Sequence, residues 1–363
     1  MSNKGIHKLF DRVVSMFIPP YNIFKKQDGM ALVLTMSVVA LLTILLFELH
    51  YQIRIELELS DNYLSKLKAL YDAEAMINYK IALLRLDQTP YDSLDEEWAK
   101  ALDDVPVPNK SRIECSIADE SRKIYVNGAT GKDSQVIQSQ LGALFDRLQF
   151  EKTCLPALYD WIDLDSDVRT GGAEKEYYMS LTPGYHCQNM ELYTLSEMLM
   201  LKGFERRFLY EPKHPSDDTF FSSKKEEEES KSLRDYLTIY GSNGRIGSDE
   251  KININTASEK VLEGLFNVPQ FGVCYSNYES CIKQIIEDRK EHPFELVDDL
   301  RPILGDLCFN VVSSHLTVGG VGTPGYFSVE AKAYSGDVKV ELYVVLKREH
   351  GLVCIVYWKE VQD

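Results

Sequence analysis

The stretch KKQDGMALVLTMSVVALLTILLFELHYQ, Lys25–Gln52, decides the fold because it contains the single long apolar run of this chain. Its eighteen residues from Met30 to Phe47 carry no charge. An α-helix rises about 1.5 Å per residue, so this run spans roughly 27 Å, close to the hydrocarbon thickness of a bilayer. The chain therefore contains a segment that is long enough to cross a membrane once.

The flanks of this run distinguish a membrane anchor from a cleaved signal peptide. No Ala-x-Ala-like site precedes Glu48, so cleavage by ordinary signal peptidase is not expected. Five basic and two acidic residues precede the run, which predicts a cytoplasmic amino terminus and export of everything after about residue 50. Gly29 stands between the basic leader and Met30. A protease at the cytoplasmic face could therefore cut after Gly29 and leave the whole apolar helix on the mature chain.

The segment after the apolar run continues as a helix. It has no Gly or Pro before Pro90. Apolar residues recur at intervals of mostly three and four, which is typical of one helical stripe. We predict one helix from Met30 to about Leu86, half in the membrane and half packed by its stripe against a soluble domain. The predicted stripe consists of Leu57, Leu64, Leu67, Tyr71, Ile77, Ile81 and Leu84.

Composition limits the class of protein. The chain has 363 residues with 44% hydrophobic and 26% charged residues, which is ordinary for globular material. Its net charge of -16 argues against nonspecific nucleic-acid binding. Such acidity suits an exported surface or one that takes up divalent cations.

Period-two alternation places strands near both ends of the exported part. RIECSIADESRKIYVNG predicts a hairpin, and YFSVEAKAYSGDVKVELYVVLKREHGLVCIVYWKE predicts a three-stranded meander with turns at Ser335–Asp337 and His350–Gly351. The sequence between them carries helical spacing, for example in DSQVIQSQLGALFDRLQF and ESCIKQIIEDRKE. The charge run SKKEEEESK is interpreted as a solvated loop.

These elements predict an α+β fold in which one antiparallel sheet packs on the exported half of the long helix and a large, mostly helical insertion interrupts the sheet. The expected organisation is a leader at 1–29, a membrane half of the helix at 30–47, a soluble half at 48–88, a linker with the first strands at 89–132, the insertion at 133–318 and the last strands at 319–363.

Seven cysteines lie on the exported side, where disulfides can persist. No pair has the C-x-x-C spacing of a zinc site. Cys274 and Cys281 close the shortest loop and are our first choice for a bridge. The odd number leaves at least one thiol unpaired.

The stretch YDWIDLDSDVRTGGAEKEYY is the strongest candidate for a metal site. Asp163, Asp165, Asp167 and Glu174 occupy places one, three, five and twelve, and Arg169 at place seven offers its backbone carbonyl. Oxygen ligands at this spacing hold calcium in EF-hand loops.

The match to an EF-hand is partial, because Val168 occupies place six, where the sharp turn normally has Gly. We expect a calcium-binding loop that is not an EF-hand. A solvated acidic loop without an ion and a pair of acids for glycoside hydrolysis are the alternatives.

Two segments, KININTASEKVLEGLFNVP and IIEDRKEHPFELVDDLRPILG, look like helix-hairpin-helix units. Such units contact DNA through a Gly-rich turn with basic neighbours. Here the turn NVPQFG lacks the double Gly and its surroundings are acidic. A scaffold role is therefore favoured over DNA binding.

Together these parts resemble the minor pseudopilin K family of the type II secretion system. The resemblance rests on the Gly29–Met30 junction with its long helix, on ININTAS, and on the block DWIDLDSDVRTGGAEKEYYMSLTPGYHCQNMELYTLSEMLMLKGF. The positions in this block that match the family's order are Asp160, Trp161, Asp163, Asp165, Gly172, Ala173, Glu174, Tyr178, Asn189, Glu197, Lys202 and Gly203.

The resemblance implies a non-enzymatic assembly protein. It implies cleavage after Gly29 and methylation of Met30 by prepilin peptidase, bound calcium in the helical domain, and a place at the tip of a periplasmic pseudopilus. The implied partners are minor pseudopilins I, J and possibly H, the prepilin peptidase and the inner-membrane assembly platform. The implied location is the inner membrane, crossed once, with a cytoplasmic amino terminus and a periplasmic main domain.

Leu34 tests this interpretation. It is the fifth residue after the proposed cut, where most pilin-like subunits have a Glu that pairs with the amino terminus of a neighbour. A Leu at this place suits a subunit at the tip, and family K members share it. Two other classes stay open: a single-pass periplasmic hydrolase that uses the acidic loop, and a competence-type pseudopilin that handles DNA.

Overall fold

The structure is a computed structural model, and it describes residues 29–107, 111–130, 134–210, 232–241, 251–274 and 277–361. The leader up to residue 28 and the charge run SKKEEEESK lie outside the described residues. The chain divides into two compact units, Met1–Lys68 and Ala69–Asp363.

The long helix α1 runs from Met30 to Leu86, as predicted. Its most apolar part has no buried residues, and it is the one helix in the described ranges that is long and apolar enough to cross a membrane. Its few polar side chains bond within the helix, since the hydroxyl groups of Ser37 and Thr43 each donate to the backbone carbonyl four residues earlier at 2.8 Å. In a membrane, such hydroxyl groups need hydrogen-bond partners inside the helix, because lipid offers none.

A five-stranded antiparallel sheet forms the base of the second unit. Its five strands are β1 Leu102–Val107, β2 Ser111–Asp119, β7 Gly325–Ser335, β8 Val338–Glu349 and β9 Leu352–Val361. Their order in the sheet is β1-β2-β7-β8-β9. The meander β7-β8-β9 confirms the prediction from the carboxyl-terminal sequence.

The end of α1 packs on this sheet through a short stripe. Ala69, Ala73 and Ile77 follow each other at intervals of four, which places them on one helical face. They join the buried residues of the sheet, among them Val329 and Val344, in one hydrophobic core. The small Ala side chains let the helix backbone come close to the strands.

The apolar stripe predicted for α1 extends further toward the amino terminus than the buried face of the helix. Ile77, Ile81 and Leu84 are buried, but Leu57, Leu64 and Tyr71 are exposed by 61%, 48% and 65%. The periodic pattern on α1 therefore begins well before the part of the helix that meets this sheet.

The predicted hairpin within RIECSIADESRKIYVNG is wrong. Strand β2 pairs with β1 and β7, while β3, Ile124–Tyr125, pairs in parallel with β4, Leu237–Thr238. A 3-10 turn at Glu120–Arg122 redirects the chain between β2 and β3. The Asp119 carboxylate caps this turn by accepting from the Ser121 backbone N–H at 2.9 Å.

The segment between β2 and β7 is the large, mostly helical insertion. A two-stranded parallel pair of β5, Ile252–Asn253, and β6, Leu316–Thr317, also lies in it. Its helices are α2 Ser134–Arg147, α3 Leu155–Ile162, α4 Lys175–Met179, α5 Arg206–Tyr210, α6 Glu259–Phe266, α7 Tyr278–Glu291 and α8 Arg301–Val312.

The motif ININTAS joins the insertion to the sheet. The Asn253 amide donates to the Asp92 carbonyl at 3.1 Å and to the Asp119 carboxylate at 2.8 Å. Thr256 donates to the same carboxylate at 2.8 Å. All four residues are buried. Buried polar groups require such partners, so the motif is a structural joint at the end of β2.

The disulfide joins Cys274 to Cys308, not to Cys281 as first chosen. Cys281 lies in α7, and its thiol points to the Ile303 carbonyl at 3.5 Å. Cys274 ends the turn Pro269–Cys274, so the bond fixes that turn to α8. The turn NVPQFG is therefore held by the core, where Phe271 is also buried.

Candidate functional site

The acidic loop, residues 163–174, connects α3 to α4. Asp163 follows the last residue of α3, and Glu174 precedes the first residue of α4. Both of these acids are therefore fixed by helix ends. Gly171 has φ +85°, a conformation that L-residues rarely adopt, and it lets the chain reverse between the two helices.

Asp160 holds the acidic loop in place by accepting hydrogen bonds on its buried side. It is fully buried in α3 and accepts from the Arg169 guanidinium at 2.9 Å and from the Ala173 backbone N–H at 2.9 Å. A Cβ on Gly172 would lie 1.9 Å from its Oδ2 atom. Gly172 is thus needed for the loop to reach Asp160. Lys202 holds the other side by donating to the Gly172 carbonyl at 3.0 Å.

Two of the predicted metal ligands are buried and have carboxylate oxygens without a close hydrogen-bond partner. The Oδ1 atom of Asp163 and both carboxylate oxygens of Glu174 have no hydrogen-bond partner among the described residues. The other oxygen of Asp163 accepts from the Arg169 guanidinium. Burial raises the pKa of Glu174, and the negative charges of Asp163 and Asp160 raise it further. These carboxyl groups lie in a place that favours a bound cation.

The other predicted ligands are not brought together with them. Asp165 and Asp167 are exposed, and one Asp165 oxygen accepts from the Asp167 backbone N–H at 2.9 Å. The Arg169 carbonyl accepts from Gly172 N–H at 2.8 Å. Within the described part of the chain, the acids of this loop do not form a trio with oxygens inside 4.8 Å.

Residues outside the acidic loop also lie beside it, and the calcium-type spacing of the acids did not predict them. Asn189, at φ 46°, donates to the Asp165 carbonyl and lies near Glu174. Cys187 also lies near Glu174, and that carboxylate raises the pKa of its thiol beyond what burial alone does. Glu191 has one buried oxygen that no described group bonds. The only sequence signal for these residues was the Asn in the family-like block.

The chemistry of this donor set fits a hard cation. Carboxylate and amide oxygens are the ligands that calcium prefers, and Asp163, Glu174 and Asn189 offer them. The unbonded buried oxygens are unusual in folded proteins, where nearly all such atoms have partners. The fit is to a reduced ligand set rather than to the full EF-hand spacing.

The one acidic trio that the described residues do gather has a different role. Asp87, Asp92 and Glu96 offer oxygens within 4.8 Å of one another. Fully buried Arg348 donates to Asp87 at 3.0 Å and to both oxygens of Asp92 at 2.8 and 2.6 Å. Gly320 N–H also donates to Asp92 at 2.7 Å. Both oxygens of Asp92 thus have hydrogen-bond partners, unlike those of Glu174. We therefore interpret this cluster as an internal contact between β8 and the chain after α1.

The predicted cleavage site lies at the amino-terminal end of α1. α1 starts at Met30, and Gly29 just before it has φ +114°. Leu34 is 67% exposed. The proposed cut thus falls at the boundary between a turn and the helix.

The fold defines a class first. A long amino-terminal helix with an apolar first half, whose last turns pack on an antiparallel sheet, is the pilin-like, membrane-anchored arrangement. The structure resembles a chain of the GspK-GspI-GspJ complex of the type 2 secretion system of enterotoxigenic Escherichia coli with a TM-score of 0.60. That match covers 82% of this chain and 97% of the other at 18% identity.

The sequence comparisons agree with the structural similarity. A family model described as type II secretion system (T2SS), protein K matches residues 122–211, which include the acidic loop. Type II secretion system protein K of Pseudomonas aeruginosa is 24% identical over 337 residues, 89% of each chain. The protein of the same name from Klebsiella pneumoniae is 27% identical over 193 residues, 50% of this chain and 59% of the relative. Over most of its length the chain is therefore similar to type II secretion system protein K.

Proposed function

We infer that this chain is a minor pseudopilin that forms the tip of a periplasmic pseudopilus and supports export of folded proteins across the outer membrane. The observation that carries this function is the helix α1, whose exposed apolar part from Met30 onward continues into turns that are buried on the sheet. Such a helix can lie in the membrane and also pack with helices of neighbouring subunits. The chain acts through assembly and is not an enzyme.

The tip position rests on two features of this chain. Leu34 leaves the apolar part of α1 without a carboxylate, so one contact to a preceding subunit is missing while no acid has to be buried in the membrane. The insertion between β2 and β7 is much larger than the sheet itself. A head of that size would crowd neighbours in the middle of a filament, whereas the first subunit has space above it.

The proposed partners follow from the same assembly. The related E. coli chain lies in a complex with GspI and GspJ. We propose that the minor pseudopilins I and J, and H beside them, contact this chain, and that the inner-membrane platform assembles them. Prepilin peptidase cuts after Gly29 and methylates Met30. The amino terminus lies in the cytoplasm and the second unit in the periplasm.

Deletion and complementation test this function. In a bacterium that encodes this chain, deletion should stop the appearance of type II substrates in the medium and leave them folded in the periplasm. The full chain on a plasmid should restore export, and a chain without residues 30–47 should not. Unchanged export in the deletion strain would refute the proposed function.

We also propose that the acidic loop binds calcium through Asp163 and Glu174, with Asn189 as a neighbouring oxygen donor. The unbonded buried oxygens of Asp163 and Glu174 support this site. A bound ion would neutralise carboxylates that burial otherwise disfavours. The exposed Asp165 and Asp167 and the Arg169 carbonyl remain candidate ligands at the rim.

Chelation tests the calcium site. Excess EGTA should lower the thermal midpoint of the full chain, because an ion that binds the folded state alone stabilises it. Glu174→Gln should abolish this response, and Glu176→Gln, at an exposed acid in α4, should retain it. A midpoint that EGTA does not change, or an equal response in the Glu174→Gln variant, would remove the site.

A further inference from the structure

Exposed apolar side chains flank the acidic loop. Outside α1, the described residues include fifteen large hydrophobic side chains that are exposed, and seven of them lie between residues 164 and 200. Single exposed apolar residues are ordinary, whereas a concentration of them marks an interaction surface. These seven residues, which we call the Met190 surface, are Leu164, Val168, Tyr177, Met179, Met190, Tyr193 and Met200.

Hydrogen bonds hold part of the Met190 surface at the start of the acidic loop. Leu164 lies in the loop itself. The Met190 backbone N–H donates to the Trp161 carbonyl at 3.2 Å, and the side-chain amide of Asn189 donates to the Asp165 carbonyl. Met190 is therefore fixed beside the first residues of the loop.

A second part of the Met190 surface lies at the end of the loop. The Lys202 amino group donates to the Gly172 carbonyl at 3.0 Å and lies 5.1 Å from the centre of the Tyr177 ring. The Tyr185 hydroxyl donates to the Met200 carbonyl at 2.6 Å. Tyr177 and Met200 are thus both held near Lys202, so exposed apolar side chains border the acidic loop at both of its ends.

The surroundings of these side chains carry a surplus of negative charge. Residues 160–203 include eight acidic and three basic residues, a surplus of five negative charges. One basic residue, Arg169, is already paired with buried acids. The exposed acids Asp165, Asp167 and Glu176 have no ion pair in the described part of the chain. One bound calcium ion would leave a surplus of three, so the rim of the loop is acidic with or without an ion.

The negative charge decides which partner fits the Met190 surface. A second copy of this chain would bring the same acidic rim, and an anionic membrane would be repelled in the same way. A basic protein segment is attracted instead. The exposed Met side chains favour a segment that also has apolar side chains, because the flexible thioether adapts to partners of different shape.

We propose that the Met190 surface binds a segment of a protein partner that carries both basic and large apolar side chains. The apolar side chains pack on the exposed Met and Tyr residues, and the basic groups face Asp165, Asp167 and Glu176. The surface belongs to the insertion and not to α1, so this interaction goes beyond assembly through the long helix. It does not depend on the calcium site, because the rim is acidic in both states.

Saturation-transfer NMR on the full chain in phosphatidylcholine nanodiscs, with calcium present, tests this interaction. The probe is the peptide Ac-Leu-Lys-Lys-Leu-NH₂, and empty nanodiscs give the blank. One control peptide, Ac-Leu-Glu-Glu-Leu-NH₂, reverses the charge, and the other, Ac-Ser-Lys-Lys-Ser-NH₂, lacks the apolar side chains. Saturation above the blank should reach the probe and neither control. A rise in NaCl from about 0.05 M to about 0.5 M should weaken binding of the probe, because salt screens exposed charges.

Two substitutions at exposed positions separate the apolar from the charged contribution. Met190→Ser should weaken binding of the probe about tenfold, because it removes an apolar contact. Glu176→Lys should weaken it about fivefold, because it replaces attraction by repulsion. The matched controls Leu307→Ser in α8 and Glu287→Lys in α7 are also exposed and should leave binding unchanged. Leu164→Ser replaces Met190→Ser if that variant does not fold.

Three results would overturn the proposal. The first is no saturation of the probe above the blank, and the second is equal binding of either control peptide. The third is binding that high salt, Met190→Ser or Glu176→Lys leaves unchanged. Secretion and the response to EGTA are measured separately, so a failure here would leave the proposed function and the calcium site standing.

Discussion

Replacement of Arg348 by Met should destabilise the folded chain strongly. Arg348 is fully buried and makes three hydrogen bonds, one to Asp87 and two to Asp92. The side chains of these acids are 6% and 4% exposed, so water cannot replace the guanidinium. Removal of one partner from a buried ion pair costs about 3–5 kcal/mol, because the remaining charge stays buried without compensation.

Asp87 and Asp92 keep other hydrogen bonds when Arg348 is replaced, and these limit the loss of unfolding free energy. Asp87 still accepts from the Thr89 N–H at 2.9 Å, and Asp92 still accepts from Gly320 N–H at 2.7 Å. We therefore expect the lower part of the range, about 3–4 kcal/mol. Met keeps most of the apolar contact with Phe327, whose ring lies 4.9 Å from the guanidinium carbon. The loss measured is thus mainly electrostatic.

Urea denaturation of the full chain in detergent micelles, followed by tryptophan fluorescence, measures this effect. Trp98 is a suitable reporter, because its ring lies 5.1 Å from that of Phe327. Arg112→Met is the matched control: this arginine lies 4.4 Å over the Tyr334 ring in the same sheet, but half of its side chain is exposed. Exposed ion pairs contribute about 0–1 kcal/mol. Equal losses for the two variants would refute the role given to Arg348.

The pH dependence gives a second test of this network. Burial raises the pKa of Asp92 to about 7, although the charge of Arg348 opposes the rise. The pKa of an Asp in the unfolded chain is near 4. Because the pKa of Asp92 is higher in the folded state, its contribution to stability is fully present below about pH 4 and is lost as the pH rises through about 7. Arg348→Met removes the opposing charge. We therefore expect its destabilisation to be smaller at about pH 5 than at about pH 8, and a pH-independent loss would contradict this reasoning.

Two further substitutions test the insertion. Gly172→Ala should reduce the free energy of unfolding by about 1–3 kcal/mol, because the new Cβ would lie 1.9 Å from a carboxylate oxygen of buried Asp160. The control Gly272→Ala has nothing within 4 Å of its Cβ and should change the free energy of unfolding by less than about 0.5 kcal/mol. Cys308→Ser removes the disulfide, which closes a loop of 34 residues, and should cost about 2–4 kcal/mol in urea denaturation, whereas Cys281→Ser should cost much less. Equal effects within either pair would contradict the account.

Local patterns predicted the parts of the fold that depend on neighbours in sequence. α1 was predictable because an uncharged run and a stretch without Gly or Pro join without a break. The meander β7-β8-β9 was predictable because two tight turns separate alternating strands. The backbone of α1 bonds within the helix, and each strand of the meander bonds to the next strand along the chain.

Long-range pairing could not be predicted in the same way. The strand β2 pairs with β7 across the whole insertion, so its alternating pattern did not reveal its neighbour. The bond from Cys274 to Cys308 likewise depends on how α7 and α8 pack. Loop length alone favoured Cys281, which is why the first choice was wrong.

The acidic loop shows what residue spacing leaves out. Its places one and twelve, Asp163 and Glu174, are the buried acids, but the spacing gave Asp165 and Asp167 equal weight although both are exposed. Asp160 precedes Asp163, the first place of the calcium-type spacing, so the spacing did not include it. Its carboxylate accepts a hydrogen bond from the loop backbone. Spacing records which residues can approach one another, whereas burial decides which of them must find a partner.

Intact-mass and amino-terminal mass spectrometry of the chain, extracted from membranes after coexpression with prepilin peptidase, tests the central claim most directly. We predict a mature chain that begins at Met30, lacks residues 1–29 and carries one methyl group on its new amino terminus. An inactive peptidase should leave the leader in place. A chain that still begins at Met1 in the presence of active peptidase would contradict the assignment as a pseudopilin.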